Sequence, residues 1–152
     1  MLGPLLFSLF INDIGGILLH TLHMIFADDI QAYLSCSPAN VRHGLELISR
    51  DANVIFAYAE SNGLKLNPSK SKVMIYGSNA HVRNIDLSLL PPVMVNQVPI
   101  PFVSEVRNLG VVFTPALSWK KHISHVSQRV HCALYRLKFN RNSLSLPNCE
   151  SN

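Results

Sequence analysis

Two adjacent carboxylates, Asp28 and Asp29, close the apolar run Met24-Ile25-Phe26-Ala27. Neighbouring like charges are costly to bury, so such a pair needs a turn, water or a cation. The next segment, Ile30-Gln31-Ala32-Tyr33, alternates as a second strand does. A strand, an Asp-Asp turn and a strand would aim both carboxylates from a hairpin tip toward a hard cation. Magnesium suits such a site, because it accepts one or two carboxylates plus phosphate oxygens and keeps several waters. The arrangement is half of a two-metal phosphoryl-transfer centre. A solvated turn is the plainer reading of these four residues alone, since Asp is common in turns. The surrounding chain decides between the two.

Other side chains that could do chemistry are less specific. The pairs His20/His23 and His122/His125 could each put two imidazoles on one helical face. Neither has Cys or acidic partners at zinc spacing, so both read as ordinary surface or interface histidines. Cys36, Cys132 and Cys149 are odd in number and widely spaced. They form no disulfide framework and point to a reducing compartment, the cytoplasm or nucleus.

The elements that must hold the aspartates are marked by periodicity. A helix is expected near 4–13, a turn at Gly15-Gly16 and the Asp-Asp hairpin near 21–34. Ser37-Pro38 then supplies an N-cap and a first-turn proline. Val41, Leu45, Ile48, Ala52, Ile55/Phe56 and Ala59 recur at three- and four-residue steps, with Arg42, His43, Glu46, Arg50 and Glu60 on other faces. Gly63 ends this helix as a left-handed cap, and the helix is expected to cover the sheet that holds the hairpin. Lys72–Tyr76 reads as a strand and 78–92 as a loop. Val93–Val95 and Val98–Ile100 read as a hairpin about Asn96-Gln97, and Val106–Phe113 as a further strand. Pro99, Pro101 and Pro115 confine this region to edge or irregular pairing. Trp119, Ile123, Val126, Val130, Leu134 and Leu137 trace a last helix, and the tail from Arg141 is polar and expected to fray.

The order of motifs adds a resemblance. Leu2-Gly3-Pro4-Leu5-Leu6-Phe7-Ser8-Leu9-Phe10-Ile11-Asn12-Asp13-Ile14 resembles the helix before the catalytic hairpin in reverse transcriptases of non-LTR (LINE-type) retrotransposons. Phe26-Ala27-Asp28-Asp29 looks like that family's aromatic-x-Asp-Asp box. Gly63-Leu64-Lys65-Leu66-Asn67-Pro68-Ser69-Lys70 looks like its next palm motif. Asn108-Leu109-Gly110-Val111, followed by Leu117-Ser118-Trp119 and His122-Ile123, is similar to its primer-grip strand and entry into the thumb. The resemblance implies an α+β palm fragment, an antiparallel sheet with helices on one face, over residues 1–113. It implies the start of a thumb helix over 114–140 and a frayed tail over 141–152.

The same resemblance implies roles. Asp28 would be a direct metal ligand, Asp29 the supporting carboxylate, and Lys70 a charge beside the departing pyrophosphate; a solvated lysine is the alternative. Leu109, Gly110 and Val111 would lie beside the primer, with Lys120 and Lys121 among the nucleic-acid contacts; a plain edge strand is the alternative. The complete enzyme would use two Mg2+ (or Mn2+) ions, an RNA template, a DNA primer and dNTPs. The family's further catalytic Asp, its Gln-Gly pair and its fingers are expected to precede Met1, and Thr114 stands where an Asp is usual. The chain is therefore expected to be inactive alone. A non-catalytic remnant that binds nucleic acid or has no role is the rival reading.

Composition bounds these readings. At 152 residues and 48% hydrophobic content the chain is long enough for a core, burying roughly two-thirds of its unfolded surface. The net charge of +4 hides a polarity: residues 1–63 carry −4 and residues 64–152 carry +8. A basic half without like-charge runs suits a phosphate backbone, and equally a solvated surface. The apolar stretch 1–27 raises a membrane or secreted protein as a third reading. No Lys or Arg precedes that stretch, and Asn12-Asp13 and Gly15-Gly16 interrupt it short of the ~20 residues a span needs. A core helix stripped of covering partners explains it better.

Overall fold

The computed structural model describes residues 2–141, so the expected frayed tail lies, apart from Arg141, outside the described residues. The chain runs α1 (Gly3–Ile11), α2 (Ile14–Ile17), β1 (Leu22–Phe26), β2 (Asp29–Tyr33), a 3-10 turn (Pro38–Asn40) and α3 (Val41–Ser61). It continues through α4 (Asn79–Arg83), a second 3-10 turn (Leu87–Leu89), β3 (Val93–Val95), β4 (Val98–Ile100), β5 (Val106–Asn108), β6 (Val111–Phe113) and α5 (Lys120–Phe139). The class is α+β. Its antiparallel sheet is divided into three two-stranded hairpins, β1-β2, β3-β4 and β5-β6.

α3 is the organising element because its apolar stripe faces two clusters at once. Leu45 packs with Val93, Val95 and Ile100, joined by Val41, Ile48, Ala52 and Phe56. Ile55 packs with Ile11 and Ile14, joined by Phe7, Ile25 and Ile30. The helix thus ties α1, α2 and the β1-β2 hairpin to the β3-β4 hairpin. Burying one such Leu or Ile is worth roughly 1.5–3 kcal/mol. Arg42, Glu46 and Arg50 are exposed, as the periodicity requires.

Both ends of α3 bear on the expected caps. Ser37 is extended (ψ 154°), but its side chain accepts no capping hydrogen bond, and the 3-10 turn at Pro38 intervenes before Val41. At the other end Gly63 has φ +68°. Its N–H donates to Glu60 O (3.2 Å) and that of Leu64 to Ala59 O (2.8 Å). This is the paired closure that a left-handed glycine makes available.

The β3-β4 hairpin explains how a strand accommodates Pro99. Met94 pairs with Pro99 between the turn-closing pair Val95–Val98 and the next pair Val93–Ile100. In an antiparallel ladder such a position is not hydrogen-bonded, so the missing N–H costs nothing there. The outward-pointing groups of Met94 go to α3 instead. Its N–H donates to Ser49 Oγ (3.2 Å), and its carbonyl accepts from Asn53 Nδ2 (2.8 Å).

Besides the absent Ser37 cap, the expected turn at Gly15-Gly16 lies within α2 (Ile14–Ile17), and three further sequence expectations fail. Lys72–Tyr76 forms no strand, only an isolated parallel bridge between Val73 and Phe102. Val73 bonds Pro101 O and Val103 N, and Pro101 has no N–H with which to extend the pairing. The loop 78–92 contains α4, capped by Ser78 accepting from the His81 N–H, and the second 3-10 turn, capped by Asp86 accepting from Ser88 N–H. Val106–Phe113 is not one strand but a hairpin that reverses at Leu109-Gly110, with φ +46° and +85°.

Candidate active site on a hairpin tip

Phe26 pairs with Asp29, so Ala27 and Asp28 alone form the β1-β2 turn and Asp29 opens β2. Both carboxylates are exposed. Among the described residues the ion pairs are His43–Glu46 and Lys121–Glu105, so no protein cation neutralises either aspartate. Ala27 has φ +52° while Asp28 is not left-handed. A positive φ at the first position of a two-residue hairpin turn favours glycine. An alanine there costs about 1 kcal/mol. Ala27→Gly is therefore expected to raise the melting temperature by a few degrees; a lower value would show that another contact holds Ala27.

The turn borders an open groove. Gly3, Pro4, Phe7 and Ser8 of α1 face Ile25, Phe26, Ala27 and Asp28 across about 690 Å³. Two adjacent exposed carboxylates beside such space fit magnesium, which needs few protein oxygens and keeps its waters. No cluster of three or more His, Cys, Asp or Glu that could hold a metal occurs among the described residues. The pair can supply part of a coordination sphere and leaves the rest to water or phosphate.

Lys70 lies in an exposed turn, its N–H donating to Asn67 O (3.2 Å). Asn67 Oδ1 accepts from the Ser69 N–H (3.1 Å) and hydroxyl (2.6 Å), which fixes the turn. The Lys70 ammonium makes no ion pair with Asp28 or Asp29. Leu109 and Gly110 occupy a turn and Val111 alone lies on a strand, which corrects the expected continuous strand beside the primer. A side-chain bond from Gln31 Nε2 to Asn108 Oδ1 (3.3 Å) links this hairpin to β2.

The β5-β6 hairpin and the start of α5 form one unit. Val112 sits opposite Arg107, the pair next to the turn-closing one, so its N–H points away from the ladder. It donates to His122 Nδ1 (3.3 Å), and His122 stacks edge-on against Trp119 at 5.8 Å. Lys121 pairs with Glu105, and both Lys120 and Lys121 are exposed. His122 is thus a packing residue. His23 is another: its ring lies where a Cβ on Gly15 would come within 2.7 Å of Cε1.

One polar residue of this region escaped the sequence reading. Asp51 on α3 is 1% exposed. Its Oδ2 accepts from His20 N (2.9 Å), Thr21 N (2.7 Å) and Thr21 Oγ1 (2.8 Å). Burial pushes its pKa up, but the Thr21 hydroxyl and the backbone N–H donors outweigh this and hold it below the ordinary 3.8. The anchor therefore stabilises the fold above that ordinary value and fades as pH falls through the lowered one. The signal was its phase: Asp51 lies three residues after Ile48 and four before Ile55, within the apolar stripe.

Residues 1–113 match the family described as "Reverse transcriptase (RNA-dependent DNA polymerase)". The chain belongs to the reverse transcriptase family. Along nearly its whole length the chain is also 28% identical, over 160 aligned residues, to a "Probable RNA-directed DNA polymerase from transposon X-element" of Drosophila melanogaster. The alignment covers 97% of this chain and 16% of that relative, so the chain spans about a sixth of the relative's length. No solved structure matches. Reverse transcriptases generally use divalent metal ions and act with a nucleic-acid template, a primer and nucleotides. No helix among the described residues is long and apolar enough to cross a membrane.

Proposed function

We propose that this chain is the C-terminal palm (1–113) and thumb start (114–140) of an RNA-directed DNA polymerase, with Asp28 and Asp29 as its metal-holding carboxylates. The observation that carries this is the tip of β1-β2, where both aspartates stand exposed without a protein cation beside a groove. Divalent Mg2+ (or Mn2+), when bound there, would acidify a primer 3′-hydroxyl and stabilise a pyrophosphate leaving group. Asp28, within the turn, would hold the ion directly, and Asp29, at the first position of β2, would support it. Lys70 neutralises charge on the departing pyrophosphate once substrate draws it in. The Leu109-Gly110 turn and Val111 guide the primer, and Lys120 and Lys121 meet backbone phosphates from the same unit.

The exposed apolar faces support a piece of a larger polymerase. Leu5, Leu6 and Leu9 of α1 and Leu22, Met24 and Phe26 of β1 are all more than half exposed, a surface that fits further polypeptide. With two carboxylates and no third His, Cys, Asp or Glu beside them among the described residues, the chain alone is expected to bind nucleic acid without extending a primer. The α5 helix, with Lys120, Lys121, Arg129, Arg136 and Lys138, favours the rival binding-only remnant equally.

Binding of an RNA–DNA hybrid, followed by fluorescence anisotropy, should weaken as salt rises, with a log–log slope of about −0.9 per phosphate contact. Replacing Lys120 and Lys121 by Ala should flatten that slope by about 1 to 2. Affinity indifferent to salt would remove the electrostatic basis of the reading.

A further inference from the structure

Asp51 is an expensive choice for a helix stripe that otherwise buries only apolar groups. A buried carboxylate is tolerated only when its lone pairs are taken up by donors or a cation. Here Oδ2 takes up the donors of two consecutive residues, His20 and Thr21, and no cation pairs with it among the described residues. Charge-assisted bonds of this kind are shorter and stronger than neutral ones. They are also directional, whereas the packing of Ile25 and Ile30 against the Ile11, Ile14 and Ile55 cluster is not.

The place of the anchor matters more than its strength. Thr21 is the residue before β1, so the carboxylate grips the base of the hairpin while Asp28 stands at its tip. At about 3.3 Å per residue the lever from Thr21 to Asp28 is roughly 20 Å long. A tilt of about 3° at the base would move the tip by about 1 Å, enough to matter for chemistry that depends on orientation. Among the described residues no third strand pairs with the hairpin, so apart from the packing of Ile25 and Ile30 and the Gln31–Asn108 bond its orientation depends on its base.

We propose that Asp51 is the positioning residue of the candidate active site: by holding His20 and Thr21 it fixes the hairpin to α3 and sets where Asp28 and Asp29 stand. The role given to Asp28 rests on the polymerase reading above; the anchor itself does not.

The test uses the 15N-labelled 152-residue chain and its Asp51→Asn, Asp51→Ala and Thr21→Val variants. Three readings are taken: amide exchange at His20 and Thr21, residual dipolar couplings of residues 27–30 relative to α3, and Mn2+ broadening at Ala27–Ile30. Asp51→Ala should speed exchange at both amides about tenfold or more, change the tip couplings and weaken Mn2+ binding about tenfold. Asp51→Asn keeps an accepting oxygen and should restore the tip couplings. Thr21→Val removes one donor and should shift the couplings in the same direction with α3 intact; it carries the test if Asp51→Ala fails to fold.

Faster exchange with unchanged tip couplings would make Asp51 a stabilising residue only and overturn the proposal, as would undiminished protection. A tip that reorients in a chain that takes no Mn2+ at Asp28 would sink the polymerase site and leave the anchor standing.

Discussion

Leu45→Asp is expected to unfold the chain. Leu45 is 4% exposed and packs against Val93, Val95 and Ile100. A carboxylate there meets no donor, unlike Asp51 six residues on, whose oxygen is taken up by His20 and Thr21. An unpaired buried charge costs more than about 4 kcal/mol, against a total stability of about 5–15 kcal/mol for a domain. Ile48→Asp, at a half-buried position on the same stripe, should act in the same direction with a smaller loss. Glu46→Ala, on the exposed side and tied only to His43 at 3.7 Å, should stay within about 0.5 kcal/mol. Thermal melts followed by circular dichroism give the order. An unchanged melt for Leu45→Asp would mean that α3 packs by another face.

The same helix shows what the sequence carried and what it hid. Its stripe was legible because apolar side chains three and four residues apart can face a core only as a helix. Asp51 was hidden because a carboxylate among Arg50 and Glu60 passes for solvent-facing unless its phase is checked. The β3-β4 hairpin was legible from two short apolar runs about Asn96-Gln97, whose φ of +46° and +64° suit a two-residue primed turn. The reversal at Leu109-Gly110 was not, since leucine has no preference for its observed φ of +46°. Lys72–Tyr76 is a short apolar run ending at Gly77, as a strand can be, but pairing depends on a partner. Pro101 and Val103 give it one bridge at Val73. At the site, the tip carrying Asp28 was legible from the paired charges between two strand-like runs, whereas the carboxylate that grips the base of the hairpin lies 30 residues from Thr21 in sequence and was not.

Primer extension is where the largest effect is expected. The 152-residue chain should extend a DNA primer on an RNA template no faster than an Asp28→Ala, Asp29→Ala control. Two carboxylates alone hold the ions poorly, and removing one member of a catalytic unit commonly costs about 10⁴-fold or more. The chain spans 16% of its X-element relative, so the experiment adds back upstream polypeptide from a related element. Extension by that reconstituted protein should fall about 10⁴-fold for Asp28→Ala. It should fall less for Asp29→Ala, because in the proposed site Asp28 holds the ion directly and Asp29 only supports it. Lys70→Ala should slow turnover with little change in primer affinity, about 10²-fold if it serves the leaving group. Extension by the isolated chain, abolished in the double-alanine control, would show that two carboxylates suffice. Equal activity of the reconstituted wild type and Asp28→Ala would remove the hairpin tip from the chemistry, leaving the basic half and α5 as a binding module.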